Sequence, residues 1–323
     1  MPTNLHLMPG TVAVQLDTLS PGVTTLMMDR LLGAAESRLV DEVLEHRPEL
    51  WIGAASEEGF PHLEFLATLP HARRVDVRCA ILSDIAGIRH VAPSLQRLRL
   101  GRTQWPKTSL APIGAATALD HLSLEGWAKD LDVIAGLPRL RHLSLRAART
   151  TDAAFLRHMS ALVTLEWDLG RTAALEGLEE LTSLEHVALR NGSAVARLDG
   201  AFSRSLRSIT LDSLTSVRAL PGLANLDHLE SVRVSNCRVL KDLTPLLSAP
   251  RLRYVAVSRM PHLTAEDVMF LRDHPNAPLV RLRLGTLEHT NAAIDALGAQ
   301  ALAEGVVADL TDLPLLPSTC WAY

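Results

Sequence analysis

Between Leu175 and Leu189 the apolar residues fall at a spacing that neither a long α-helix nor an ordinary strand can use. Leu175, Leu178, Leu181, Leu184 and Val187 come at every third position, and Leu189 follows after two. A period of three keeps one edge of a tight 3₁₀ turn or an extended coil apolar. The closing step of two, Val187-Ala188-Leu189, is the period of a strand with one face buried. One unit is therefore a short strand plus a return segment. Its apolar edge stays wet unless copies of the unit pack on both sides.

The copies are present. Leu-x-x-Leu-x-Leu recurs at Leu95/Leu98/Leu100, Leu119/Leu122/Leu124, Leu140/Leu143/Leu145 and Leu162/Leu165/Trp167. It continues at Leu184/Val187/Leu189, Leu206/Ile209/Leu211, Leu229/Val232/Val234, Leu252/Val255/Val257 and Leu279/Leu282/Leu284. A weaker copy sits at Ala72/Val75/Val77 and a truncated one at Leu50/Ile52. Counted from Leu50, the middle positions step by 25, 23, 24, 21, 22, 22, 22, 23, 23 and 27 residues, and one register holds across eleven units. This pattern resembles the leucine-rich repeat family over residues 48–287. The resemblance implies an α/β solenoid of about eleven repeats, with one parallel β-sheet on the concave face and short 3₁₀, helical or coil segments on the convex face. The family usually carries Asn, sometimes Cys, three residues after the last strand Leu. Here that place holds Thr103, Trp127, Ala148, Gly170, Gly192, Leu214, Cys237 and Met260, so other groups are expected to hold the turns.

The ends of such a stack need polar-backed lids. In residues 1–47, Val12, Val14 and Leu16 alternate as a strand would, and Met27, Leu31, Leu32, Ala35, Leu39, Val43 and Leu44 recur at helical steps. This strand and helix are expected to form the N-terminal cap, with residues 48–287 as the solenoid and 288–323 as a C-terminal helical cap and tail. Thr264–His274 reads as a short helix with Thr264 as N-cap and Asp267 completing a weak capping box. Asn291–Leu302 reads as a second helix, and Asp309–Tyr323 as a tail ending in Cys320-Trp321-Ala322-Tyr323.

Composition narrows the class. The formal net charge of −4 argues against nucleic acid or an anionic membrane as partner. No window has the length of a membrane span, and Met1–Leu16 lacks the basic and apolar regions of a signal peptide. Three cysteines, Cys79, Cys237 and Cys320, are too few for a disulfide framework, which fits a reducing cytoplasm. Arginine outnumbers lysine heavily, Lys107, Lys129 and Lys241 being the only lysines, and this habit suggests a bacterial source. No phosphate-binding loop, dinucleotide fingerprint, metalloprotease helix, paired CxxC or nucleophile elbow is present. No catalytic residue, cofactor or metal is therefore assigned.

Function then rests on the strand residues that alternate outward, which line up in columns about 4.8 Å apart. One column reads Glu125, Arg146, Asp168, Arg190, Asp212, a self-neutralising ladder that keeps the face soluble. Another carries His121, His142 and His186, a secondary surface. His121 and His142 fall on adjacent strands with Glu125 near, an incomplete ligand set for zinc. The two stacked imidazoles are expected to suppress each other's protonation.

A denser cluster lies in the early repeats. Trp51, Arg74, Arg78, Arg97 and Arg99 are expected on the outward face of the first three strands, answered only by Asp76. Arg102, Trp105 and Trp127 follow in the next two loops. Tryptophan and arginine are the types enriched at interface hot spots. The competing reading packs Trp51 and Trp105 against the N-terminal lid. Trp167 and Cys237 are assigned to the core. The chain is thus expected to be a non-catalytic module that binds another protein or peptide, acidic in character, as a scaffold, adaptor or inhibitor. The alternative is an enzyme, or a subunit of one, with its site on the concave face or the caps.

Overall fold

A computed structural model of the protein describes residues 3–55, 59–105, 107–148 and 150–303. The chain divides into two compact units, Met1–Ala148 and Arg149–Ser318 in their described parts. The first unit contains β1 (Thr3–Leu7), α1 (Val12–Asp17), β2 (Val23–Met28), α2 (Ala34–His46), β3 (Trp51–Ala54), β4 (Arg74–Val77), β5 (Arg97–Leu100), β6 (His121–Glu125) and β7 (His142–Arg146). Its strands pair in chain order and all in parallel. The second unit has β8 (Thr164–Gly170), β9 (His186–Gly192), β10 (Ser208–Asp212), β11 (Ser231–Ser235), β12 (Tyr254–Met260) and β13 (Leu279–Leu284). It ends in α3 (Leu287–Leu297) and β14 (Ala301–Ala303), and its strands likewise pair in parallel, in chain order.

The leucine register builds this ladder directly. Leu98, Leu122 and Leu143 stand opposite one another on β5, β6 and β7, and Leu165, Val187, Ile209, Val232 and Val255 do so on β8 to β12. All of these are buried, whereas the residues between them are only partly so in the open pattern of β5. The eleven strands β3–β13 match the eleven repeats. Where the apolar period is three, the return segment coils into a short 3₁₀ helix. Leu63, Leu66 and Leu69 bury one edge of Glu64–Thr68, and Leu175, Leu178 and Leu181 bury that of Leu178–Glu180. Three residues per turn brings every third side chain to the same side, and that side is the core.

Both ends differ from the expected caps. Val12, Val14 and Leu16 lie on α1, not on a strand; Val12 is buried while Val14 is 69% exposed. Alternation without burial of every second residue has no face to hold a strand. The stretch from Thr24 to Met28 falls on strand β2, and the helix begins only at Ala34, burying Ser37, Val40 and Leu44. The N-terminal segment therefore adds two further parallel rungs, β1 and β2, with helices as returns. At the other end, Thr264 N–H and Oγ1–H both donate to Asp267 Oδ2, at 2.7 and 2.9 Å, but the helix is only the 3₁₀ turn Met269–Asp273. The final helix starts at Leu287, four residues earlier than expected, where Thr286 Oγ1 accepts from His289 N–H at 3.0 Å. Ala301 and Leu302 belong to a strand paired with β13 instead. The tail from Asp309 lies outside the described residues.

Two registers also shift. Ile52, not Leu50, stands opposite Val75, and Val280, not Leu282, stands opposite Val255. The β12–β13 pairing slips once more between Ser258 and Met260, at an Arg259 with φ of +52°. Left-handed residues recur at strand exits: Gly126, Ala147, Asn191, Ser213 and Asn236 all have positive φ. The chain leaves the sheet through this one sharp turn, repeat after repeat.

Candidate functional site

The arginine and tryptophan cluster forms on β3, β4 and β5 of the first unit. Register places Arg74 directly beside Arg97, and Asp76 beside Gly53 on one side and Arg99 on the other. Asp76 is only 5% exposed and holds two guanidiniums. Arg78 Nη2–H donates to its Oδ2 at 2.8 Å, and Arg99 Nη1–H donates to the same oxygen at 3.2 Å. The Arg99 guanidinium also lies over the Trp51 ring, 5.2 Å from its centroid, a cation–π contact. Trp51 is half-buried on the strand face beside Thr25 of β2.

Asp76 is not the sole acid. Arg97 Nε lies 3.9 Å from Asp120 Oδ1, Arg102 Nε 3.8 Å from Glu125 Oε1, and Arg47 Nε–H donates to Glu49 Oε1 at 2.9 Å. These pairings cross repeats or fall outside strands, and strand columns alone do not reveal them. The Nε of Arg74 is buried with no hydrogen-bond partner among the described residues. Burial first, then repulsion from Arg97, pushes its pKa down, with Asp120 and Glu49 acting weakly the other way. A groove of about 510 Å³ opens here, lined by Val23, Met27 and Trp51 as well as by the arginines.

The two loop tryptophans part company. Trp105 is 52% exposed, its backbone N–H donating to Thr103 Oγ1 at 3.2 Å, and so it does not pack under a lid. Trp127 is fully buried, contrary to the expectation that it joins the interface, and its indole N–H donates to Gly101 O at 3.0 Å. It occupies the turn place where the repeat pattern expects a backbone-bonding Asn, and it does that work from inside. Thr103 does the same one repeat earlier, its hydroxyl donating to Leu82 O and to Ala80 O. The position of Trp127 in that column was the available signal.

His121 and His142 do stack, with ring centroids 5.3 Å apart and planes 31° from parallel. Burial, then His142, Arg97 and Arg99, hold the His121 pKa down at about 3; burial also lowers His142 against the pull of Asp120. His186 lies in the second unit, where its Nδ1 is 2.9 Å from Ser208 Oγ. Among the described residues no group of three or more His, Cys, Asp or Glu is placed to hold a metal ion. The charge ladder is also re-paired: Arg190 Nη1–H donates to Glu166 Oε2 at 2.9 Å, and Asp212 Oδ2 lies 3.6 Å from Arg259. Glu166, nearly buried, is a participant that the column reading did not include. Trp167 and Cys237 are in the core as expected, burial pushing the Cys237 thiol up to about 11.

Comparison with known proteins rests on fold. No family model and no curated protein matches the sequence. Solved structures do. An internalin, inlF of Listeria monocytogenes, superposes with a TM-score of 0.50 at 14% identity, covering 82% of this chain and 82% of that one. TLR13, in its complex with ssRNA13, gives a TM-score of 0.56 at 16% identity over 84% of this chain and 41% of its own. A leucine-rich repeat protein of Leptospira interrogans covers 88% of this chain and 78% of its own at 13% identity and a TM-score of 0.49. By its repeating leucines and its parallel ladder the chain has the leucine-rich repeat fold. Among the described residues no helix is long and apolar enough to cross a membrane.

Proposed function

We propose that this chain is a non-catalytic recognition module, and that the strand face of its first unit takes an acidic segment of another protein. The observation that carries the reading is the half-buried Trp51 set among Arg74, Arg97 and Arg99, with the exposed Trp105 and Arg102 in the loop beyond β5. An aromatic ring framed by guanidiniums supplies apolar area and directional charge at one place, the combination hot spots use. Cys79 and Cys237 are both buried free thiols, which supports a reducing, cytoplasmic setting. Scaffolding, adaptor and inhibitory roles would all use this surface.

Arg99 is a poor handle for a test, because removing it strips a partner from the nearly buried Asp76. Arg97 and Trp105 are better. A stoichiometric partner is captured by affinity purification from the source cell, identified by mass spectrometry, and then titrated as a pure protein. Arg97→Glu combined with Trp105→Ala should weaken its binding at least about 10-fold, and added salt should weaken the wild-type complex. Unchanged affinity in the double variant would remove the surface from consideration.

A further inference from the structure

The groove beside Trp51 is more selective than a general basic patch. Five arginines line it, Arg47, Arg74, Arg78, Arg97 and Arg99, against two carboxylates, Glu49 and Asp76, a surplus of three positive charges. The carboxylates are already committed: Asp76 to Arg78 and Arg99, Glu49 to Arg47. Arg97 reaches its nearest acid, Asp120, only at 3.9 Å. Arg74 has no ion pair among the described residues, and register sets it beside Arg97 one strand away. The two guanidiniums share only the attraction of Asp120, which for Arg74 is a smaller effect than the repulsion of Arg97, so side by side they still repel each other. One anion with several oxygens relieves both, since each planar fork can take two of them.

The rest of the groove limits what that anion is attached to. Trp51, Met27 and Val23 give it apolar wall area. Gly53 matters to this shape: a Cβ there would come within 2.1 Å of Met27 Sδ, so the methionine lies flat across the strand where any larger residue would lift it. The chemistry required is an apolar, ring-sized body ending in a multiply charged oxyanion.

We propose that Arg74 and Arg97, beside the Trp51 ring, form a subsite for a phosphoryl dianion borne on a phosphorylated side chain of the partner protein. The proposal rests on the recognition reading above and names the chemistry recognised. A single carboxylate meets the surplus of three charges less fully than a dianion, and it offers two oxygens where phosphoryl offers three.

Phenyl phosphate is the probe, titrated calorimetrically into the full chain with benzoate as the monoanionic comparator. Phenyl phosphate should saturate at one per chain and bind at least about 10-fold more tightly than benzoate. Its affinity should fall as pH drops below about 6, where the dianion takes a proton. Arg74→Gln should weaken it at least about 10-fold and Arg74→Lys, which keeps the charge but not the fork, less so. Arg89→Gln, on the return segment Ala86–His90 and outside the groove, should leave it within about twofold. Circular dichroism of each variant reports whether it is folded, and the lysine variant keeps the test open if glutamine is not tolerated. Benzoate binding as tightly as phenyl phosphate, or no saturable binding at all, would overturn the proposal. So would a single-stranded RNA oligonucleotide that displaces phenyl phosphate and itself depends on Arg74, since the phosphate would then come from nucleic acid. A partner lost on Arg97→Glu with no phenyl phosphate bound removes this inference alone. Phenyl phosphate bound, with the partner indifferent to Arg97, removes the recognition reading alone.

Discussion

Trp127 is the residue on which the sequence pattern and the folded chain disagree most sharply, and the disagreement can be measured. An interface tryptophan can be truncated at little cost to stability; a buried turn tryptophan cannot. Trp127 is fully buried and its indole N–H reaches Gly101 O at 3.0 Å, across one repeat. Trp127→Phe keeps most of the volume but leaves that carbonyl without its donor and opens a small void, a loss of about 2 kcal/mol. Trp127→Ala removes the whole ring and should cost about 4 kcal/mol, in the range for large aromatic deletions in cores. Trp105→Ala is the control: with half of its surface already in water, it should cost less than about 1 kcal/mol. Urea unfolding followed by far-ultraviolet circular dichroism gives all three differences. A Trp127→Ala cost below about 1 kcal/mol, equal to that of Trp105→Ala, would refute the buried-turn account and return Trp127 to the interface.

Three further outcomes follow from the same geometry. His121 is held at about 3 in the folded chain, whereas an unfolded histidine titrates near its ordinary value of 6.5. Its contribution to stability is complete above that value and is lost as pH falls toward the folded pKa, by at most about 1.4 kcal/mol per pH unit for one proton. Urea midpoints at several pH values should therefore slope less in His121→Asn than in the wild type; parallel slopes would count against the depression. Gly87→Ala would set a Cβ 2.1 Å from Leu63 O and 2.7 Å from Glu64 N, forcing two return segments apart. Its thermal transition should drop, with a cost of about 2 kcal/mol, and an unchanged transition would mean the segments can separate freely. Gly126→Ala meets only an ordinary 3.6 Å contact, but at a φ of +81°. It should cost about 1 kcal/mol from the backbone alone, seen as a lower urea midpoint with no loss of folded signal.

The ladder was legible because burial of leucine enforces it. A strand displaced by one residue would turn Leu98, Leu122 and Leu143 to water, so their spacing leaves one register open. Where that penalty weakens, the reading slipped. Leu279, Leu282 and Leu284 match the repeat well, yet Val280 is also apolar and takes the rung beside Val255, so the pattern alone offers two answers. Val12, Val14 and Leu16 imitate a strand over too few residues to require a second buried face. The site was legible as residue types and columns, which put Arg74 beside Arg97 and His121 beside His142. Its pairings were not. Arg99 reaches Trp51 two strands away, and Arg190 leans to Glu166 instead of the acids of its own column. Long side chains choose among several neighbours within reach, and that choice depends on depth and solvent access, which spacing does not encode.

Asp76 shows what such a choice is worth. A carboxylate sunk beneath the face and gripping Arg78 and Arg99 fixes two flexible cations while the chain is still alone. Their freedom is surrendered during folding, so an arriving molecule meets a rigid template and has less disorder left to quench. The specificity of this surface is thus anchored by a nearly buried acid in its wall, and modules built this way would retune their guests by changing that acid while leaving every exposed charge in place.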